Sequence, residues 1–173
     1  MRTVYIVGCP GSGKSTAMAG ALDLLDWHLL VAQKEPVPHL LYDSGAAQLG
    51  SARVEMGGTD SLSMSIGPKA IDWVRTQPVP LLLGEGDRLA YDGFLNACHS
   101  VGPVELVWID VPFMVARNRA LARNDKAQNW TWVKGRFAKV ENLVSRHHHI
   151  RIDGNQLPSV VASELAVIIG RDA

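Results

Sequence analysis

The sequence predicts an α/β fold, a parallel sheet covered by helices on both faces, on three observations. Short apolar runs alternate with helical ones along the whole chain. The first strand runs directly into a glycine-rich loop and then a helix. Polar residues with useful chemistry follow the strands, where ligands bind in open parallel sheets.

The elements follow in order. Thr3–Val7 is β-branched and aromatic, as a buried first strand should be. Ser15–Leu25 reads as a helix with few breakers. A link through Pro36 and Pro38 leads to His39-Leu40-Leu41-Tyr42, the expected second strand. Ile66–Arg75 places Ile66, Ala70, Ile71 and Val74 at helical spacing. Val79–Leu83 is a third strand ending at Gly84, and Arg88–His99 a helix. Val104–Ile109 is a fourth strand. Val111–Arg123 is a helix with Pro112 near its first turn. Trp130–Arg146 is a helix, His148–Ile152 a fifth strand, and Leu157–Ile169 the closing helix. No repeat and no low-complexity tract interrupts this order, so residues 1–173 are read as one domain.

Gly8-Cys9-Pro10-Gly11-Ser12-Gly13-Lys14-Ser15 fits G-x-x-x-x-G-K-[ST]. Strand, glycine loop and helix give the context this motif needs. Glycines let backbone N–H groups turn inward around a polyphosphate, and the helix N-terminus adds partial positive charge. Pro10, Gly11, Ser12, Gly13, Lys14, Ser15 and Thr16 are therefore expected to hold a nucleoside triphosphate. Lys14 reaches its outer phosphates, and Ser15 holds Mg²⁺.

Bulk composition narrows the classes. With 47% hydrophobic and 20% charged residues the chain is globular rather than disordered. No apolar run reaches the length of a membrane span. Met1-Arg2-Thr3-Val4 enters a strand with no signal-peptide pattern, and Cys9 and Cys98 make no metal spacing, so a cytoplasmic location is expected. Formal net charge is zero, but the charges are unevenly placed. Arg117, Arg119, Arg123, Lys126, Lys134, Arg136, Lys139, Arg146 and Arg151 face only Asp125 and Glu141. Acids dominate the middle of the chain. One region suits phosphate, the other metal or proton transfer.

Phosphoryl transfer to an alcohol needs a metal-bound triphosphate, charge stabilisation and a proton acceptor. Asp43, after the second strand, is the expected base, an Asx turn being the structural alternative. In Gly84-Glu85-Gly86-Asp87-Arg88, Glu85 is the expected metal-side carboxylate and substrate contact, with Asp87 its rival. Arg88 suits substrate phosphate or a carboxylate partner. Arg119 and Arg123, four residues apart, share a helix face and are expected to stabilise transferring charge, whereas Arg117 and Arg119 do not share one. They lead into Asn124–Asn129, a polar stretch read as part of a lid near residues 117–136 that excludes water. Arg53 through Ser65, with Gly58, Thr59 and Asp60, is read as the acceptor-binding segment. Trp130, Trp132, Lys134 and Arg136 set aromatic beside basic residues, suited to stacking a base and holding backbone phosphate, the structural alternative being one core Trp and solvated cations. His147-His148-His149 alternate across a strand and do not read as a metal site.

These residues resemble a family. Gly8–Ser15, the acid after the second strand, the arginine-bearing lid and Ile152-Asp153-Gly154 together look like the nucleoside and nucleotide kinases of the P-loop class. The resemblance implies a three-layer P-loop NTPase fold with a five-stranded parallel sheet in the order 2-3-1-4-5. It also implies ATP and Mg²⁺ as cofactors, with adenine near Arg117 and the loop after Asp153, at Asn155. Leu41–Gly45, Gly58–Ser65, Gly84–Leu89 and Trp132–Arg136 further resemble small bacteriophage P-loop kinases, some of which phosphorylate 5-hydroxymethyluracil in DNA. That resemblance implies a modified pyrimidine in DNA as partner, flipped toward Asp43 and the Gly58–Ser65 loop. A phage-encoded chain would then act in the host cytoplasm. Two further functions fit the motif: a kinase of a free nucleoside, nucleotide or other small alcohol, and an NTP-hydrolysing switch subunit.

Overall fold

The computed structural model describes residues 1–51, 58–76, 79–123 and 129–171, with Arg123 described in its backbone only. Arg53 and most of the segment 124–129 therefore lie outside the described residues. The chain forms β1 (Arg2–Val7), α1 (Lys14–Leu24), β2 (Leu29–Gln33), β3 (His39–Tyr42) and β4 (Ala47–Leu49). A 3-10 turn at Thr59–Ser61 precedes α2 (Gly67–Thr76), β5 (Leu81–Glu85), α3 (Asp92–His99) and β6 (Val104–Asp110). Then come α4 (Phe113–Arg123), α5 (Trp130–Val144), β7 (His149–Asp153) and α6 (Pro158–Ile169).

The sheet corrects the expected topology. It has seven strands in the order β2-β3-β4-β5-β1-β6-β7, and it is mixed rather than five-stranded and parallel. The stretch β4-β5-β1-β6-β7 is parallel throughout. The expected second strand, His39–Tyr42, runs antiparallel between β2 and β4. The strand that actually lies beside β5 is the three-residue β4. This reversal sends the end of β3 toward the end of the sheet where the parallel strands begin.

Alternation along β1 divides the core. Val4 and Ile6 face α1 and α6, while Tyr5 and Val7 face α2, α3 and α5. Gly20 of α1 leaves room for Ala162 of α6, so the two helices cross closely. The opposite face is filled by Trp73, Phe94, Leu95 and Leu143. The α4 helix belongs to neither layer. It lies over the loop after β1, with Ala116 fully buried against Cys9 and Val111. Among the described residues no helix is long and apolar enough to cross a membrane. Cys9 and Cys98 are buried free thiols.

Candidate active site

The loop between β1 and α1 is shaped by glycine. Gly11 has φ 85° and Gly13 φ 94°, both in the left-handed region that favours glycine. A Cβ on Gly11 would also overlap the carbonyl oxygen of Ala116, so α4 packs directly on the loop. Lys14 Nζ donates to the carbonyl oxygens of Gly8 at 2.9 Å and Cys9 at 3.2 Å. These are neutral acceptors, so the ammonium has no carboxylate partner there and stays available to an anion. Burial pushes the Cys9 thiol up to about 11, with Lys14 opposing, and the group is neutral at ordinary pH.

Ser15 Oγ donates to Glu85 Oε1 at 2.9 Å. Glu85 closes β5, which pairs with β1 at Ile6, and its carboxylate is buried beneath the loop. Burial raises its pKa, and the Lys14 ammonium and the Ser15 hydroxyl oppose the rise. Ser15 and Glu85 form a hydroxyl–carboxylate pair of the kind that holds a hard cation, directly or through its water. The chemistry of this donor set fits Mg²⁺, with Lys14 beside it for phosphate.

Three expected acceptor-binding residues lie against the end of β5 and the loop after it. Thr59 is fully buried, and its Oγ1 donates to the Glu85 carbonyl at 2.9 Å. Gly58 has φ 60°, and a Cβ there would strike the Glu85 carboxylate. Asp60 Oδ1 accepts from the backbone N–H of Asp87 at 2.8 Å and Arg88 at 3.2 Å. The Tyr5 hydroxyl, absent from the expected set, donates to the Gly86 carbonyl at 3.2 Å and lies 3.0 Å from Thr59 Oγ1, whose own proton goes to the Glu85 carbonyl. Nothing in the sequence distinguishes Tyr5 from an ordinary strand aromatic.

Asp87 is held from α5. Lys139 Nζ lies 2.8 Å from its Oδ1, and Arg136 forms an ion pair with its Oδ2. Lys139, expected only as one of the basic residues of this stretch and not as a site residue, lies three residues from Arg136 and so on the same helix face. Its pKa is lowered, first by burial and then by Arg136. Arg136 also lies over the Trp132 ring, 5.0 Å from the centroid, and Trp132 is half-exposed. Arg88 runs past Met64, and its Nε is buried without a hydrogen-bond partner among the described residues. Lys134 is exposed.

On the other side of the loop, Ser12, Gly13, Thr16, Arg119, Gly154 and Gln156 line a cleft of about 130 Å³. Arg119 donates to the Gly154 carbonyl at 2.8 Å, joining α4 to the turn after β7. The lining of the cleft differs from the expected nucleotide contacts at two positions. Gln156 lines it in place of Asn155, whose exposed side chain follows a turn held by the Asp153 carboxylate. Arg117 does not line it either. Its guanidinium stacks on Trp130 at 4.6 Å, and Trp130 meets Phe113 edge-on. Trp130 is thus part of an internal aromatic cluster.

Asp43 is the largest correction. Leu41 is level with Ala47 and, through it, with Leu82. Asp43 lies further toward the start of β5, while Glu85 is three residues further toward its end. At about 3.3 Å per residue the two carboxylates are on the order of 15 Å apart along the sheet. Asp43 is exposed and accepts from His28, at 3.0 Å from the backbone and 3.2 Å from Nδ1. That backbone hydrogen bond is the main cause of its lowered pKa. The cationic stretch is also less free than its composition suggests. Besides Arg136 and Lys139, Arg146 pairs with Asp92, and Arg151 with Asp110.

Comparison with known proteins agrees with this geometry. The family model described as P-loop Nucleotide Kinase3 matches residues 1–165. A sugar kinase from Janibacter is similar in structure, with TM-score 0.56 and 16% identity over 98% of this chain and 96% of that one. Shikimate kinase from Aquifex aeolicus gives 0.52 at 20% identity, over 96% and 95%. Deoxyadenosine kinase from M. mycoides gives 0.52 at 9% identity, over 99% and 100%. At these identities the likeness is one of fold. No curated protein sequence matches the chain.

Proposed function

The chain belongs to the P-loop Nucleotide Kinase3 family, and we propose on that basis that it transfers the γ-phosphate of ATP to a hydroxyl group. The observation that carries this reading is Lys14, Ser15 and the buried Glu85 meeting at the ends of β1 and β5. Phosphoryl transfer asks little covalent chemistry of a protein and much positioning of charge. The loop amides and Lys14 hold the triphosphate, and the cleft beside Arg119 takes the nucleotide's base. Ser15 and Glu85 would hold Mg²⁺, which neutralises charge on the phosphates when bound. Since Asp43 is remote, Asp87 is the carboxylate that orients the acceptor hydroxyl and takes its proton, with Arg136 and Lys139 fixing its direction. The packing of α4 on Gly11 covers one side of the loop.

The acceptor we propose is the 5-hydroxymethyl group of 5-hydroxymethyluracil in DNA. Trp132, Arg136 and Arg88 support it, as an exposed aromatic beside cations next to the Asp87 loop. The test is transfer of labelled γ-phosphate to duplex DNA containing 5-hydroxymethyluracil, with thymine DNA and free hydroxymethyl nucleoside alongside. Label in the modified DNA alone supports this acceptor. Label in the free nucleoside alone replaces it with a small-molecule acceptor. No label in any acceptor contradicts it.

The sugar, shikimate and deoxyadenosine kinases of similar fold are named for small acceptors. They favour the second reading, a kinase of a free nucleoside, nucleotide or other small alcohol.

A further inference from the structure

A second cavity, about 240 Å³, lies on the far side of the phosphate loop from the nucleotide cleft. Its walls include Cys9 of the loop, Trp108 and Asp110 at the end of β6, Phe113 of α4, and Phe137 and Glu141 of α5. We propose that this cavity seats the ring of the phosphate acceptor, and that the ring is planar, heteroaromatic and not anionic. The inference rests on the kinase reading and adds to it the place and chemistry of the acceptor.

Three features carry it. First, the cavity borders the site of transfer. Cys9 forms one wall, and the same residue's carbonyl accepts from Lys14 Nζ at 3.2 Å. Second, its side walls are aromatic and already fixed. Phe113 and Phe137 meet edge-on with centroids 5.0 Å apart. Trp108 is packed edge-on by His149 at 5.5 Å and covered by Arg151 at 5.8 Å. Rings held this way offer stacking surface to a flat ligand without having to be ordered by it. Third, the charged groups on the wall are both carboxylates. Asp110 is paired with Arg151, and Glu141 is exposed on α5. Carboxylates accept hydrogen bonds from ring N–H groups and repel a carboxylate or phosphate. Among the described lining residues the donor side chains are the Trp108 indole and the buried thiol, and none is cationic, so a sugar acid would find no charge partner here. The cations Arg88, Arg136 and Lys139, grouped around Asp87, do not line this cavity and are left to an acceptor's backbone phosphate.

The test is equilibrium binding of free 5-hydroxymethyluracil, with gluconate as an anionic polyol control, in the presence of a non-hydrolysable ATP analogue. Affinity for that analogue is measured separately. Phe137→Leu and Trp108→Leu remove ring faces from two different elements while keeping apolar bulk. The expected result is that the wild type binds 5-hydroxymethyluracil and not gluconate. Each variant should lose about tenfold or more in that affinity, in line with the contribution of one stacking contact, with nucleotide affinity within about twofold. Absence of ring binding by the wild type overturns the inference, as does undiminished affinity in both variants or equal binding of gluconate through the same residues. Failure of the wild type to bind the nucleotide would instead overturn the kinase reading, while ring binding is still read directly.

Discussion

The Ser15 hydroxyl donates to Glu85 Oε1 at 2.9 Å, so the last residue of the phosphate loop is tied to the last residue of β5. Two strands adjacent in the sheet but far apart in sequence thereby set one site. Much of the surrounding structure supports that single contact. Thr59 and Tyr5 hold the β5 end, Gly58 lets the backbone pass the carboxylate, and Lys14 lies close enough to oppose its raised pKa.

Lys14→Ala removes the one cation held on the loop's own carbonyls. Phosphoryl transfer should fall by about two to three orders of magnitude, the cost of losing a preorganised charge at the reacting centre. The far-ultraviolet circular dichroism spectrum should be unchanged. A steady-state rate near wild type would remove Lys14 from the site.

Glu85→Gln separates stability from function. The folded carboxyl has a raised pKa, so the native state binds the proton more tightly than the unfolded chain does. The wild type should therefore lose stability as pH rises from the ordinary carboxylate value through the raised folded value. Glutamine carries no such charge. The variant should match or exceed the wild-type melting temperature at neutral pH and lose the pH dependence that this group supplies. Its activity at saturating Mg²⁺ should fall at least tenfold. Thermal melts from pH 4 to 8 check the first statement, and steady-state kinetics the second.

Asp43→Asn should leave kcat and KM within about twofold of wild type, because the residue closes a turn with His28 far from Lys14. A loss of two orders of magnitude, the effect of removing a general base, would return Asp43 to the site.

Tyr5→Phe deletes a buried hydroxyl without disturbing the ring that packs on Phe94. The Gly86 carbonyl loses its donor, at a cost of about 1 kcal/mol in chemical unfolding. The Glu85–Asp87 loop should loosen, and KM for the acceptor should rise more than KM for ATP. Equal changes in both would point to global destabilisation instead.

The phosphate loop was legible because its chemistry is written in contiguous residues. Most helices and the strands at Thr3–Val7 and Val104–Ile109 were legible because their apolar runs are long, and His148–Ile152 because Ile150 and Ile152 alternate with polar residues. Three features were not. The Ala-Gln-Leu of β4 is too short to show any periodicity, although all three residues are buried. Leu29-Leu30-Val31 has a strand's composition, but β2 is an exposed edge strand in a hairpin-like meander that no local pattern announces. Missing both strands gave His39–Tyr42 the wrong direction and carried Asp43 to the wrong end of the sheet. Thr59 and Asp60 were placed near the site, but whether a polar side chain meets ligand or braces backbone depends on contacts across the fold. Glu85 was legible because it follows three leucines, and a carboxylate there can only lie at the end of a buried strand.

The most direct measurement is the ratio of ADP released to acceptor phosphorylated, with ATP and Mg²⁺ at saturation and 5-hydroxymethyluracil DNA or free hydroxymethyl nucleoside supplied in turn. The account predicts a ratio near one with the true acceptor, and little ADP when no acceptor is present. ADP release at the same rate with and without acceptor, leaving every acceptor unlabelled, would contradict it and identify an NTP-hydrolysing switch.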